Sequence, residues 1–77
     1  MKTWIKVERA KRDMTQEDLA NALMVTRGTI NSIECDRFQP SVILALRIAE
    51  YFGVSVNDIF ILEDSDRPTQ KGKPGQR

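Results

Sequence analysis

The chain of 77 residues has no histidine and a single cysteine, Cys35. One thiol cannot form an intrachain disulfide, and without histidine the only metal site left open is an all-carboxylate one. There is also no phosphate-binding glycine loop and no pairing of catalytic side chains in the sequence. The expectation is a protein that is not an enzyme and needs neither metal nor cofactor. No apolar run approaches the length of about 18 residues that a membrane helix requires. The first ten residues carry charges throughout, where a secretion signal would need an apolar stretch. A cytoplasmic location is expected, with no membrane partner. A large charge of one sign is missing as well, since twelve basic residues face eleven acidic ones. Any surface for a polyanion must therefore be local.

Ile61 and Leu62 form the last apolar pair. The C-terminal stretch beyond them, EDSDRPTQKGKPGQR, has no large apolar residue and cannot bury enough surface to order itself. The expected organisation is one folded domain over residues 1–62 and a flexible polar tail over 63–77. In that tail Lys71, Lys73 and Arg77 are nearly cancelled by Glu63, Asp64 and Asp66. A folded part of about 60 residues has a thin core, and a partner subunit often supplies the missing burial.

Thr15, Thr26, Ser41 and Ser55 are well suited as helix N-caps and divide the chain into helices. Around Thr15, Met14 and Leu19 stand at the positions of a hydrophobic staple, and Asp18 occupies the third helical position, where it can accept from free amides. Ser55 repeats the arrangement with Val54, Ile59 and Asp58. Thr26 has the staple, Val25 with Ile30, but its helix starts with Arg27 and has Thr29 in third position. A cation at a helix N-terminus is mildly unfavourable. An incoming phosphate reverses that balance, because free amides and Arg27 attract it where an acid would repel it.

The helix opening at Ser41 runs to Phe52 and stops at Gly53, which suits a left-handed residue. Its inward stripe reads as Val42, Ala45, Leu46, Ala49 and Phe52, and a second apolar stripe as Leu44, Ile48 and Tyr51. Such a helix is either central to the core or has a partner; the small domain favours a partner, with Leu44, Ile48, Tyr51, Ile61 and Leu62 as candidates for a dimer surface. The N-terminus admits two descriptions, of which the helix is preferred. Helical spacing suggests a helix from about Ile5 to Asp13, whereas Thr3, Ile5 and Val7 alternate with Trp4 and Lys6 as a strand would. A short strand ahead of the helix would pair with Phe60 to Leu62, in the same or a neighbouring subunit.

Between Gln16 and Glu34 the apolar spacing is that of two helices crossing at a turn. Leu19 and Leu23 share one face, Ile30 and Ile33 the facing one. Val25 plugs the corner, and Ala20 is small enough for a close crossing. That core leaves the first turn of the second helix, from Thr26, projecting outward.

With these residues in place the chain resembles the phage-repressor and Cro type helix-turn-helix family, the xenobiotic-response-element type, and especially its short stand-alone members. The resemblance spans Ile5 to about Phe60 and rests on RAKRDMTQEDLANAL, VTRGTINSIE and PSVILALRIAEYFGVSVNDIF in that order. It implies an all-α fold, a compact lambda-repressor-like bundle of five helices whose recognition helix starts at Thr26. It also implies a sequence-specific DNA-binding regulator of transcription, a repressor in the usual case, acting on double-stranded DNA as a homodimer.

Carried over residue by residue, the resemblance makes Gln16 a phosphate contact that steadies the recognition helix. Arg27 takes a base-reading position, its planar fork matching guanine O6 and N7. Thr26, Thr29, Asn31 and Ser32 fall where further phosphate or base-edge contacts occur, and Arg37 lies in a phosphate-gripping loop that Phe38 would pack down. Arg9 and Glu34 match a structural ion pair between the first and third helices. The chain departs from the family pattern at Met24 and Asp36, where glycine is usual, at Cys35, where asparagine is common, and at Gly28, which lacks a base-reading side chain. With Gly28 bare, readout leans on Arg27 and on DNA shape. The competing description is a protein-interaction or antitoxin-like module on the same fold.

Overall fold

The computed structural model describes residues 1–68. Five helices dominate it: α1 (Ile5–Lys11), α2 (Gln16–Leu23), α3 (Arg27–Glu34), α4 (Val42–Phe52) and α5 (Val56–Ile59). Two short strands, β1 (Lys2–Thr3) and β2 (Phe60–Ile61), pair antiparallel with Lys2 opposite Ile61 and Thr3 opposite Phe60. The fold is thus the all-α bundle expected, and the terminal strand forms within the same chain. The Trp4 amide extends the strand contact by donating to the Ile59 carbonyl at 2.9 Å. Among the described residues no helix is long and apolar enough to cross a membrane.

The helices are punctuated by one repeated device. Each of α1 to α4 ends with a residue in the left-handed region: Asp13 (φ 55°), Met24 (φ 60°), Asp36 (φ 58°) and Gly53 (φ 73°). At each, two amides turn back onto the last helical turn. Val25 and Met24 donate to the Ala20 and Asn21 carbonyls, and Val54 and Gly53 to those of Ala49 and Glu50, the Schellman pattern. Three of the four connections then continue with an apolar residue and an N-cap: Asp13-Met14-Thr15, Met24-Val25-Thr26 and Gly53-Val54-Ser55. Met14, Val25 and Val54 pack against the core, so each linker is pinned from inside. Thr15, Thr26 and Ser41 accept from the amides of Asp18, Thr29 and Leu44. At Ser55 the Asp58 carboxylate accepts from the Ser55 amide at 3.3 Å. Asp18, which accepts from the Thr15 amide and lies beside its hydroxyl, is held below the usual carboxylate range.

The core joins Ile5, Leu19, Ala20, Leu23, Ile30, Ile33, Ile48, Ala49, Phe52, Ile59 and Phe60. Each large aliphatic side chain in it contributes about 1.5–3 kcal/mol by leaving water. Two sequence expectations are corrected here. First, α1 stops at Lys11 and not at Asp13, because Asp13 turns left-handed. Second, α4 is rotated: Ile48 is fully buried and Leu44 packs against the core, whereas Val42 and Leu46, expected inward, are 74% and 51% exposed. Ile48 is therefore no dimer-surface residue. A helix apolar on nearly every side has no periodicity that fixes which side faces in. Residues 63–66, assigned by composition to the polar tail, lie against the N-terminus. Glu63 and Asp66 approach the amino group of Met1 at 3.0 and 2.8 Å, with a turn of 3-10 helix at Asp64–Asp66. Asp66 and then Glu63 push that amino group up to about 10. The tail residues Lys71, Lys73 and Arg77 lie outside the described residues.

Met24 combines a left-handed backbone with 87% exposure, so its side chain contributes strain and almost no burial. Met24→Gly is expected to raise stability by about 0.5–1 kcal/mol, the relief of left-handed strain outweighing glycine's added freedom in the unfolded chain. Urea denaturation of the two proteins measures the difference.

Candidate nucleic-acid interface

The crossing of α2 over α3 is built as the spacing predicts. Leu19, Leu23, Ile30 and Ile33 are buried, Ala20 is 2% exposed at the close approach, and Val25 fills the corner between them. A short turn and a tight crossing leave the first turn of α3 no room to face inward. Thr26, Arg27 and Gly28 are all exposed.

That first turn has a particular chemistry. Thr26 Oγ1 accepts from the Thr29 amide at 3.1 Å and shares a hydrogen bond with the Thr29 hydroxyl at 2.9 Å, so both threonines are committed to holding the helix start. Arg27 makes no ion pair or hydrogen bond with its side chain among the described residues. No acid occupies the first turn, whereas α1, α2 and α5 each carry at least one. The first turn of α4 also lacks an acid, but it carries no cation and its residues are apolar. A Cβ added at Gly28 would meet only Thr26 Oγ1, at 3.8 Å. Packing in the free protein therefore does not require glycine there.

Beneath α3 lies the expected ion pair, in bidentate form. Arg9 Nε donates to Glu34 Oε2 at 2.7 Å and Nη2 to Oε1 at 3.0 Å, with the two side chains 12% and 7% exposed. The remaining arm of Arg9, Nη1, donates to the Met14 carbonyl at 2.9 Å and ties α1 to the linker before α2. Gln16 completes the cluster, its Nε2 donating to Glu34 Oε1 at 3.0 Å and to Asn31 Oδ1 at 3.1 Å.

The structure thus brings Arg9, Gln16, Asn31 and Glu34 together and sets Arg27 and Gly28 outward beside them. Ser32 is half-buried, and its carbonyl accepts from the Arg37 amide at 2.8 Å. The Arg37 side chain is exposed and without a partner among the described residues. Phe38, expected to pack the loop, is 49% exposed. Cys35 is exposed at the end of α3, its Sγ 3.8 Å from Asn31 Oδ1.

Two supporting residues escaped the sequence reading. Arg47 of α4 donates to the Leu23 carbonyl at the end of α2, and Arg12 donates to the Phe52 carbonyl at 3.1 Å while its guanidinium lies over the Phe52 ring. Both place a cation on helix-terminal carbonyls, where it is favoured. Their partners are 24 and 40 residues away in sequence, so no local pattern announces them.

The sequence model of the helix-turn-helix family matches residues 5–59. A protein of Methanocaldococcus jannaschii, described as an uncharacterised helix-turn-helix-type transcriptional regulator, is 50% identical over 66 residues, which is 86% of this chain and all of that protein. Proteins of the same description from Archaeoglobus fulgidus and Bacillus subtilis are 44% and 38% identical over 66 residues, covering 93% and 100% of their own lengths.

Removing one member of the ion pair leaves a charge in a nearly closed site. Glu34→Ala is expected to cost roughly 3–5 kcal/mol in thermal or denaturant unfolding. The same substitution at exposed Glu17 should stay within about 0.5 kcal/mol.

Proposed function

The chain belongs to the helix-turn-helix family of DNA-binding transcriptional regulators, and on that footing we propose that it is a cytoplasmic repressor that sets α3 in the major groove as a homodimer. The observation that carries this reading is the first turn of α3: outward, free of acids, with an Arg27 that has no partner among the described residues next to a residue that has no side chain. Arg27 is the base-reading residue, its fork donating to guanine O6 and N7. Gly28 lets the α3 backbone come close to the duplex, and Arg37 supplies a phosphate contact from the loop after α3. Thr26 and Thr29 keep the helix start in shape. With basic and acidic groups nearly balanced, affinity rests on a handful of local phosphate contacts and falls as salt rises.

The homodimer is supported by the apolar groove between α4 and α5, where Val42, Leu46 and Leu62 are exposed around Pro40, Val56 and Phe60. Residues 63–77 have no large apolar side chain to fill the groove. A second copy does, and a two-fold pair places two α3 helices in successive major grooves. The same exposed face favours the second reading, a protein-interaction module. That reading gains if no DNA sequence is preferred.

Selection from a random duplex pool tests the proposal. The expected product is an inverted repeat with half-site centres about 10 base pairs apart. Arg27→Ala should cost about 1–3 kcal/mol and blur one base pair in each half-site. Uniform weakening on all sequences would instead make Arg27 a phosphate contact. Leu46→Glu, on an exposed position, should leave the fold intact while shifting sedimentation from dimer to monomer, and an unchanged sedimentation coefficient would remove this face from the interface.

A further inference from the structure

The cluster under α3 has a direction. Both oxygens of Glu34 accept from the Arg9 guanidinium, so the Gln16 group at 3.0 Å from its Oε1 is the NH2 and not the carbonyl. The same nitrogen lies 3.1 Å from Asn31, whose facing atom must in turn be an acceptor, Oδ1. Cys35 Sγ approaches that oxygen too, at 3.8 Å. Donor and acceptor alternate from Arg9 through Glu34 and Gln16 to Asn31, and reversing any one amide would set two like groups against each other.

Two atoms are left over. Among the described residues nothing accepts from Asn31 Nδ2 and nothing donates to Gln16 Oε1. Asn31 stands four residues after Arg27, on the same side of α3.

We infer that the Arg9–Glu34 pair, acting through Gln16, fixes Asn31 as a donor-only reader of the major groove, and that Gln16 is a positioning residue whose side-chain amide is not a phosphate donor. The inference rests on the DNA-reading function proposed above. A free asparagine amide pairs with adenine through both atoms, accepting from N6 and donating to N7. With Oδ1 taken by Gln16 Nε2 and faced by Cys35 Sγ, its two acceptor positions are occupied and Asn31 offers no free acceptor to adenine N6 or cytosine N4. It favours edges rich in acceptors, guanine N7 and O6 or thymine O4. Gln16 cannot donate to a phosphate either, since the hydrogens of Nε2 point to Asn31 and Glu34 and the remaining atom, Oε1, repels an anion.

The test uses the full chain as wild type, Asn31→Ala and Gln16→Met, the last keeping length and helix preference while cutting the relay and leaving the ion pair whole. In duplex selection, Asn31→Ala identifies its base pair as the one whose preference disappears. Wild type should show guanine or thymine there. Gln16→Met should raise adenine at that pair by about 3- to 10-fold, the worth of one regained hydrogen bond, with the Arg27 base pair unchanged. Uniform weakening by Gln16→Met with base identities intact would make Gln16 a phosphate contact and overturn the inference. So would an Asn31→Ala selection identical to wild type.

The free protein gives a second readout by side-chain amide NMR. Slowed exchange of the Gln16 amide protons, and a shift of the Asn31 amide in Gln16→Met, are expected. Fast exchange of both Gln16 protons overturns the relay without reference to DNA. If wild type enriches no sequence, the DNA-reading proposal fails and the inference with it, whereas an altered pattern in the variants alone leaves that proposal standing.

Discussion

The bidentate contact between Arg9 and Glu34 is the constraint on which the arrangement of α3 depends. Two opposite charges in a nearly closed site are tolerable only when their hydrogen-bonding groups are satisfied. Here both carboxylate oxygens are engaged, one of them twice, and the third arm of the guanidinium holds the Met14 carbonyl. Satisfying those groups brings α1, α2, α3 and the α1–α2 linker to one point. The orientation of α3, and the direction in which Arg27 leaves the surface, are set there.

Around that point the chain is assembled from local pieces. A left-handed residue, an apolar plug and an N-cap join α1 to α2, α2 to α3 and α4 to α5, and at Asp13 and Met24 the left-handed position is filled without glycine. Short connections of this kind leave little freedom in how consecutive helices cross. The connection from α3 to α4 is the exception. It runs through exposed Arg37 and Phe38 to Pro40 before the Ser41 cap, and it is the loop that carries an exposed guanidinium beside α3.

Much of the fold was legible in the residues. Thr15, Thr26, Ser41 and Ser55 mark helix starts because a cap bonds an amide only three residues ahead. Leu19, Leu23, Ile30 and Ile33 mark the crossing because their spacing matches the helical period on facing sides. The early end of α1 was hidden, since aspartate is a less obvious left-handed residue than glycine. A short strand ahead of α1 was only an addition to the expected helix, without its residue-by-residue pairing, since two residues are too few to show a period. In the candidate site, Arg9 with Glu34 came through the resemblance, but the hydrogen bonds of Arg12 and Arg47 to distant carbonyls did not.

The residues alone settled where the helices begin, which side chains cross at the turn, and that a cation and a glycine open α3. Those features depend on groups within about one helical turn of each other. Which side of α4 faces the core was left to the packed fold, because Val42, Leu46 and Ile48 are equally apolar and burial is settled by what α4 packs against. The polarity of the amides at the interface was left to it as well. Asn31 is oriented by Gln16, and Gln16 by a carboxylate that Arg9 holds from 25 residues away, distances at which a linear reading shows the groups but not the hydrogen bonds between them.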